Sequence, residues 1–116
     1  MRRLNKHLIG VDQGSVLMFS DFESGGPMWT GTGPRESRQG VRFAAAFARP
    51  PAVQVAVTMW DSDRRTNQRC DLTAEAVTAA GFTLVFRTWG DSRVARLRAD
   101  WLAIGELPDE DDWDVA

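Results

Sequence analysis

Asn67 and Arg69 are separated by one residue, so on a strand both side chains point the same way, opposite to Cys70 and Leu72. Trp89 has the parity of Val85 and Arg87, opposite Phe82, Leu84 and Phe86. A guanidinium fork, a carboxamide and an indole on outward faces suit a ligand that is part polar and part apolar. Hydroxyls need donors and acceptors in pairs, while the apolar face of a pyranose stacks on an aromatic ring. Gly90 and Asp91 follow Trp89 and complete this candidate carbohydrate-binding set. A plainer assignment competes with it: Arg69 pairs with Asp71 or Asp61, and Trp89 packs at a sheet edge. Parity alone leaves both open.

Other chemistries lack their parts. The chain has a single histidine, His7, near its N-terminus, through which any Ser-His-Asp or Cys-His arrangement would have to run. Asp61 and Asp63 could hold a cation, but they read more simply as caps for the turn Arg64-Arg65-Thr66. Gly31-Thr32-Gly33 lacks the downstream spacing and the lysine of a phosphate loop. The lone cysteine, Cys70, allows no internal disulfide and no cysteine-rich metal site, and it is expected to be a buried structural thiol. The expectation is a binding protein, not an enzyme, with no cofactor and no metal.

The chain of 116 residues is long enough for one domain with a modest core. Its formal charge of −2 gives no basic stripe for nucleic acid. No stretch is long and apolar enough for membrane insertion. Arg2, Arg3 and Lys6 before Leu8-Ile9-Gly10-Val11 imitate a secretion signal, but Asp12-Gln13-Gly14 interrupts it too early. The reading is of a soluble protein without a recognisable signal peptide, one that reaches extracellular sugar by release or by carriage on a particle. Domain boundaries are expected at 1–105, followed by an acidic, disordered tail at 106–116 in which Trp113 is the one feature able to dock.

In the elements that must position these residues, several segments alternate with the period of a half-buried strand. Val53, Val55, Val57 and Met59 share one face, as do Phe82, Leu84 and Phe86, and Val41, Phe43, Ala45 and Phe47. Segment 67–77 places Cys70, Leu72, Ala74 and Ala76 inward. A weaker strand over 7–19 is expected to break at Asp12-Gln13-Gly14. Segment 93–104 fits either a strand or a helix. Pro50-Pro51, Ala80-Gly81 and Gly90-Asp91-Ser92 punctuate the runs, and Ser24-Gly25-Gly26-Pro27 with Gly31-Thr32-Gly33-Pro34 frames a long loop around Trp29. Strands separated by turns at this spacing predict an all-β sandwich, with α+β kept as the alternative by 93–104 and by the helical propensity of Ala-rich 73–80.

Several short motifs occur in order: Arg35-Glu36 before Val41-Arg42-Phe43, then Phe47-Ala48-Arg49-Pro50-Pro51, Asp61, Asn67-Gln68-Arg69, Gly81-Phe82-Thr83-Leu84, Thr88-Trp89 and Trp101-Leu102-Ala103-Ile104-Gly105. Together, over about residues 29–105, they resemble the H-type lectin domain, the family of snail agglutinins and of the discoidin C-terminal domain. The resemblance implies a small antiparallel β-sandwich of about six strands, assembled as a homotrimer or a doubled hexamer with sites between subunits. It implies a glycan partner of the galactose or N-acetylgalactosamine type, with Asn67 and Arg69 matching the family's hydroxyl-binding carboxamide and arginine and Trp89 its site tryptophan. The chain departs from the pattern at Gly90, where sugar-binding members often have histidine, near Thr32, where an aspartate is expected (Glu36 is the nearest acid), and at Ala95, which replaces an aromatic residue. An alternative therefore stands beside the lectin: a structural or attachment module of a fibre or phage-like assembly that keeps the oligomer without a working sugar site.

Overall fold

The computed structural model describes residues 1–109, and the expectation of a disordered acidic tail with a docking Trp113 otherwise falls on 110–116, outside the described residues. Six strands and one short helix make up the chain: β1 (Ile9–Ser20), α1 (Pro27–Thr30), β2 (Arg35–Arg42), β3 (Ala52–Ser62), β4 (Asp71–Glu75), β5 (Gly81–Thr88) and β6 (Val94–Glu106). They form two three-stranded antiparallel sheets, β1-β6-β3 and β2-β5-β4. The fold is the all-β sandwich that the alternation predicts, and the ambiguous 93–104 is strand.

The core lies between the sheets because each strand turns its apolar parity inward. Leu97, Ala99, Trp101 and Ala103 of β6 face Phe82, Leu84 and Phe86 of β5, with Val53, Val55 and Val57 packed alongside. Aromatic rings span the gap at both ends. Trp101 meets Phe43 at 5.8 Å and Phe82 at 5.6 Å, while Phe86 meets Phe19 at 5.5 Å and Trp60 at 6.0 Å. Edge and tilted ring contacts of this kind add to the stabilisation from buried area alone.

Several expectations are corrected. Strand β1 runs through Asp12-Gln13-Gly14 without a break. Gly14 pairs with Trp101, and a Cβ there would lie 2.7 Å from the indole Nε1, so the glycine makes room for a ring. Asp12 accepts the Ala44 N–H at 2.8 Å and ties down the loop after β2. That strand ends at Arg42, leaving Ala45 exposed while Phe43 and Phe47 remain buried. Strand β4 covers only Asp71–Glu75 of the expected 67–77. Cys70 is exposed, not a buried thiol, because it precedes the strand and escapes its parity. Ala76 is exposed as well and leaves the strand with φ of 52°. Strand β6 runs to Glu106, which is buried and accepts from Arg49 at 2.9 Å.

Val85 has outward parity yet is 0% exposed. Above it, Arg38 pairs with Glu36 (3.0 Å) and Glu75 (3.5 Å), and Arg87 pairs with Glu36 (3.0 Å) and Glu75 (2.7 Å). Arg38 stands directly across from Val85, and long cationic side chains commonly cover an apolar neighbour with their stems while their heads stay wet. Among the described residues, no helix is long and apolar enough to cross a membrane.

Replacing Trp101 by alanine removes the ring that both sheets share. The expected loss is about 3–5 kcal/mol of unfolding free energy, measured by urea titration. A loss below about 1 kcal/mol would contradict this placement of the ring.

Candidate functional site

The loop 63–70 and the turn after β5 meet at one end of the sandwich, and two buried hydroxyls peg them together. Thr88 Oγ1 donates to the Arg69 carbonyl at 2.6 Å. Ser92 Oγ donates to the Asn67 carbonyl at 2.7 Å and accepts the Arg69 N–H at 3.1 Å. Thr88 and Ser92 bracket Trp89-Gly90-Asp91, so burying the two hydroxyls leaves the three intervening residues projecting.

Asp91 then organises the side chains. Its Oδ1 accepts from Arg69 Nη1 at 2.7 Å and from Asn67 Nδ2 at 3.2 Å, and its Oδ2 accepts the Asn67 backbone N–H at 3.2 Å. Arg69 therefore pairs with neither Asp71 nor Asp61, and Asp61 pairs instead with Arg96 at 3.0 Å. The Asp91 carboxyl is held down to about 2, first by the Arg69 hydrogen bond and then by Asn67. With its amide nitrogen turned to Asp91, Asn67 has Oδ1 left to accept, and Arg69 keeps donors that meet nothing within the described residues. Trp89, two residues before Asp91 on the same turn, is 46% exposed.

Gly90 has φ of 69°, in the left-handed region, and a Cβ there would lie 2.9 Å from Arg69 Nη1. The guanidinium lies against the glycine in the space a larger residue would occupy. The Gly90 carbonyl also accepts from Gly33 N at 2.8 Å and from Arg35 Nη2 at 3.2 Å. Arg35 donates as well to the carbonyls of Gly33 (2.9 Å) and Met28 (3.2 Å), binding the loop around α1 to the site, and burial lowers its pKa.

Asp63 anchors a separate cluster in the same loop. Asp63 accepts both Nε and Nη2 of Arg65 at 3.0 Å and Nη1 of Arg93 at 3.2 Å, and Arg65 holds its carboxyl down to about 2. Asp63 thus performs the turn capping expected of the Asp61–Asp63 pair. Arg93 in turn lies 4.3 Å over the Trp29 ring. His7 is exposed near the N-terminus. Among the described residues, no group of three or more His, Cys, Asp or Glu could hold a metal ion. Parity alone did not single out Asp91 as the clamp or Arg35 as the hub, since both contacts join segments distant in the chain.

Residues 38–104 match the H-type lectin domain. The chain is 57% identical over 107 residues to a Fuscovulum blasticum protein described as ATP synthase subunits region ORF 7, spanning 92% of this chain and 93% of that one. It is 39% identical over 75 residues to a discoidin-1 polypeptide of Dictyostelium discoideum, covering 64% of this chain and 30% of the discoidin. The structure of recombinant discoidin II of the same organism superposes with a TM-score of 0.75 at 25% identity, covering 94% of this chain and 40% of that one. The chain thus spans less than half the length of the discoidins it matches.

A carboxyl depressed by partners in the folded state stabilises that state above the ordinary carboxylate range, and the contribution disappears as pH falls through the folded value. Asp91 should accordingly titrate near 2 in carboxyl-detected NMR, with the 67–69 loop losing order below that point. In Arg69→Ala the midpoint should rise toward about 3.9. An unchanged midpoint in the variant would rule out the clamp.

Proposed function

The chain belongs to the H-type lectin domain family, and from that premise we propose that it is a carbohydrate-binding lectin that works as a homotrimer or doubled hexamer, for galactose- or N-acetylgalactosamine-type glycans. The observation that supports this reading is the clamp by which Asp91 holds Arg69 and Asn67, on the same turn as the exposed Trp89. A guanidinium presents a planar fork to neighbouring hydroxyls, and the indole offers a face for the sugar ring. Gly90 and Asp91 act through Arg69, the first by leaving it room and the second by aiming it.

Self-association has its own support. On the outer face of β1-β6-β3, Val11, Ile104 and Ala52 line up in one cross-strand row, with Leu102 in the next. Val11 is 64% and Leu17 55% exposed in the single chain. An apolar sheet face of this kind marks an association surface. Several weak sites on one assembly give avidity that a single site lacks. Release from the cell or carriage on a particle is part of the same reading.

The attachment-module alternative draws on Gly90 at the histidine position and on the lack of an acid near Thr32. Printed glycans distinguish the two. The purified oligomer should bind galactose-type glycans, and Arg69→Ala should lower affinity at least about tenfold while the protein stays folded with only a modest loss of melting temperature, because charge-assisted hydrogen bonds are strong and the residue is peripheral to the core. An array with no glycan bound would favour the module. Independently, light scattering should report a trimer or a multiple of it at micromolar concentration, and Val11→Asp should yield folded monomers. A monomeric wild-type protein would refute the oligomer.

A further inference from the structure

Trp89 lines a groove of about 330 Å³ together with Pro34, Arg35, Glu36, Asp71, Arg87 and Thr88 of β2, β5, β4 and their flanks. Its floor is a single cross-strand row, because Arg87 stands opposite both Glu36 on β2 and Asp71 on β4. Thr88, which lines the groove, donates its hydroxyl to the Arg69 carbonyl at 2.6 Å, and Asp71 follows Arg69 by two residues, so the Arg69 cluster and this row adjoin.

The charges along the row are unevenly satisfied. Arg87 donates to Glu36 at 3.0 Å and to Glu75 at 2.7 Å, passing over the aspartate directly across from it. Glu36 also takes Arg38. Arg35 is consumed by backbone carbonyls. The Asp71 carboxylate is left with no hydrogen bond or ion pair to the described residues, beside an exposed indole and inside a groove. The cluster around Arg69 is rich in donors, and its own carboxylate, Asp91, is already committed to Arg69 and Asn67. The neighbouring groove supplies the strong acceptor that a sugar hydroxyl next to that cluster would need.

The geometry points to an extended site: the ligand is an uncharged glycan of at least two sugars, one residue held at Asn67 and Arg69 and the next lying past Trp89 with a hydroxyl donated to Asp71. The lining side chains Arg35, Glu36, Asp71 and Arg87 carry balanced formal charge, two positive and two negative, which suits a neutral polyhydroxylated residue better than an anionic one. This inference rests on the lectin reading above and adds to it the ligand's minimum length and the residue that selects it.

Isothermal titration of the purified full-length chain tests it, with N-acetylgalactosamine and a panel of neutral disaccharides that carry it or galactose at one end. At least one disaccharide should bind about tenfold tighter than its monosaccharide, the gain expected from a hydrogen bond to a charged group. Asp71→Ala should erase that gain while leaving monosaccharide affinity and melting temperature in place. Asp71→Asn, which keeps an acceptor oxygen, should retain part of it. The extended site is overturned if no disaccharide exceeds its monosaccharide, or if Asp71→Ala weakens both alike. Should neither monosaccharide nor disaccharide bind, the lectin reading itself fails, an outcome separable from the other two.

Discussion

The binding end of this molecule depends on one carboxylate. Asp91 sits on a turn whose flanking hydroxyls, Thr88 and Ser92, are buried and bonded to the backbone of Asn67 and Arg69. Two chain segments some twenty residues apart are thereby fixed at both the main-chain and side-chain level. The carboxylate takes one guanidinium nitrogen and the carboxamide nitrogen, leaving the other Arg69 donors and Asn67 Oδ1 uncommitted. A long arginine held in this way loses little further rotamer freedom on binding, and preorganisation of that kind raises affinity.

The two sheets carry their outer faces differently. On β2-β5-β4 the four-membered arrangement of Glu36, Arg38, Glu75 and Arg87 seals Val85 and keeps the face polar. Exposed ion pairs contribute little stability individually, so this arrangement matters more as a cover and as a charge-balanced surface. On β1-β6-β3 the matching rows are apolar toward one end and turn to Arg96 and Arg98 at the other. One outer face is therefore charged throughout, the other apolar at one end.

Much of this was legible in the sequence, for definite reasons. Alternation in 52–60 and 82–88 located β3 and β5 because one face of each is buried, whereas Asn67, Arg69 and Trp89 lie just outside the strands, so strand parity does not set their directions. Where pattern and structure part, a long-range contact decided. Asp12-Gln13-Gly14 has the composition of a break, yet Gly14 is dictated by an indole 87 residues away, and Asp12 by the amide of Ala44. Cys70 has buried parity only if the strand begins upstream of β4, which it does not. Val85 has exposed parity, but charged residues on neighbouring strands, invisible to a one-dimensional pattern, fold over it. Gly90 stands where a histidine is expected, and its space is filled by Arg69.

The central claim is that Asn67, Arg69 and Trp89 together form a sugar site. Titrating N-acetylgalactosamine into isotope-labelled protein, while following the indole and side-chain amide resonances, tests it most directly. The account predicts that the Trp89 indole and the Asn67 carboxamide shift together along one binding curve, while the core Trp101 indole stays in place. Shifts confined to other residues, or no saturable shift at Trp89 and Asn67, would contradict it.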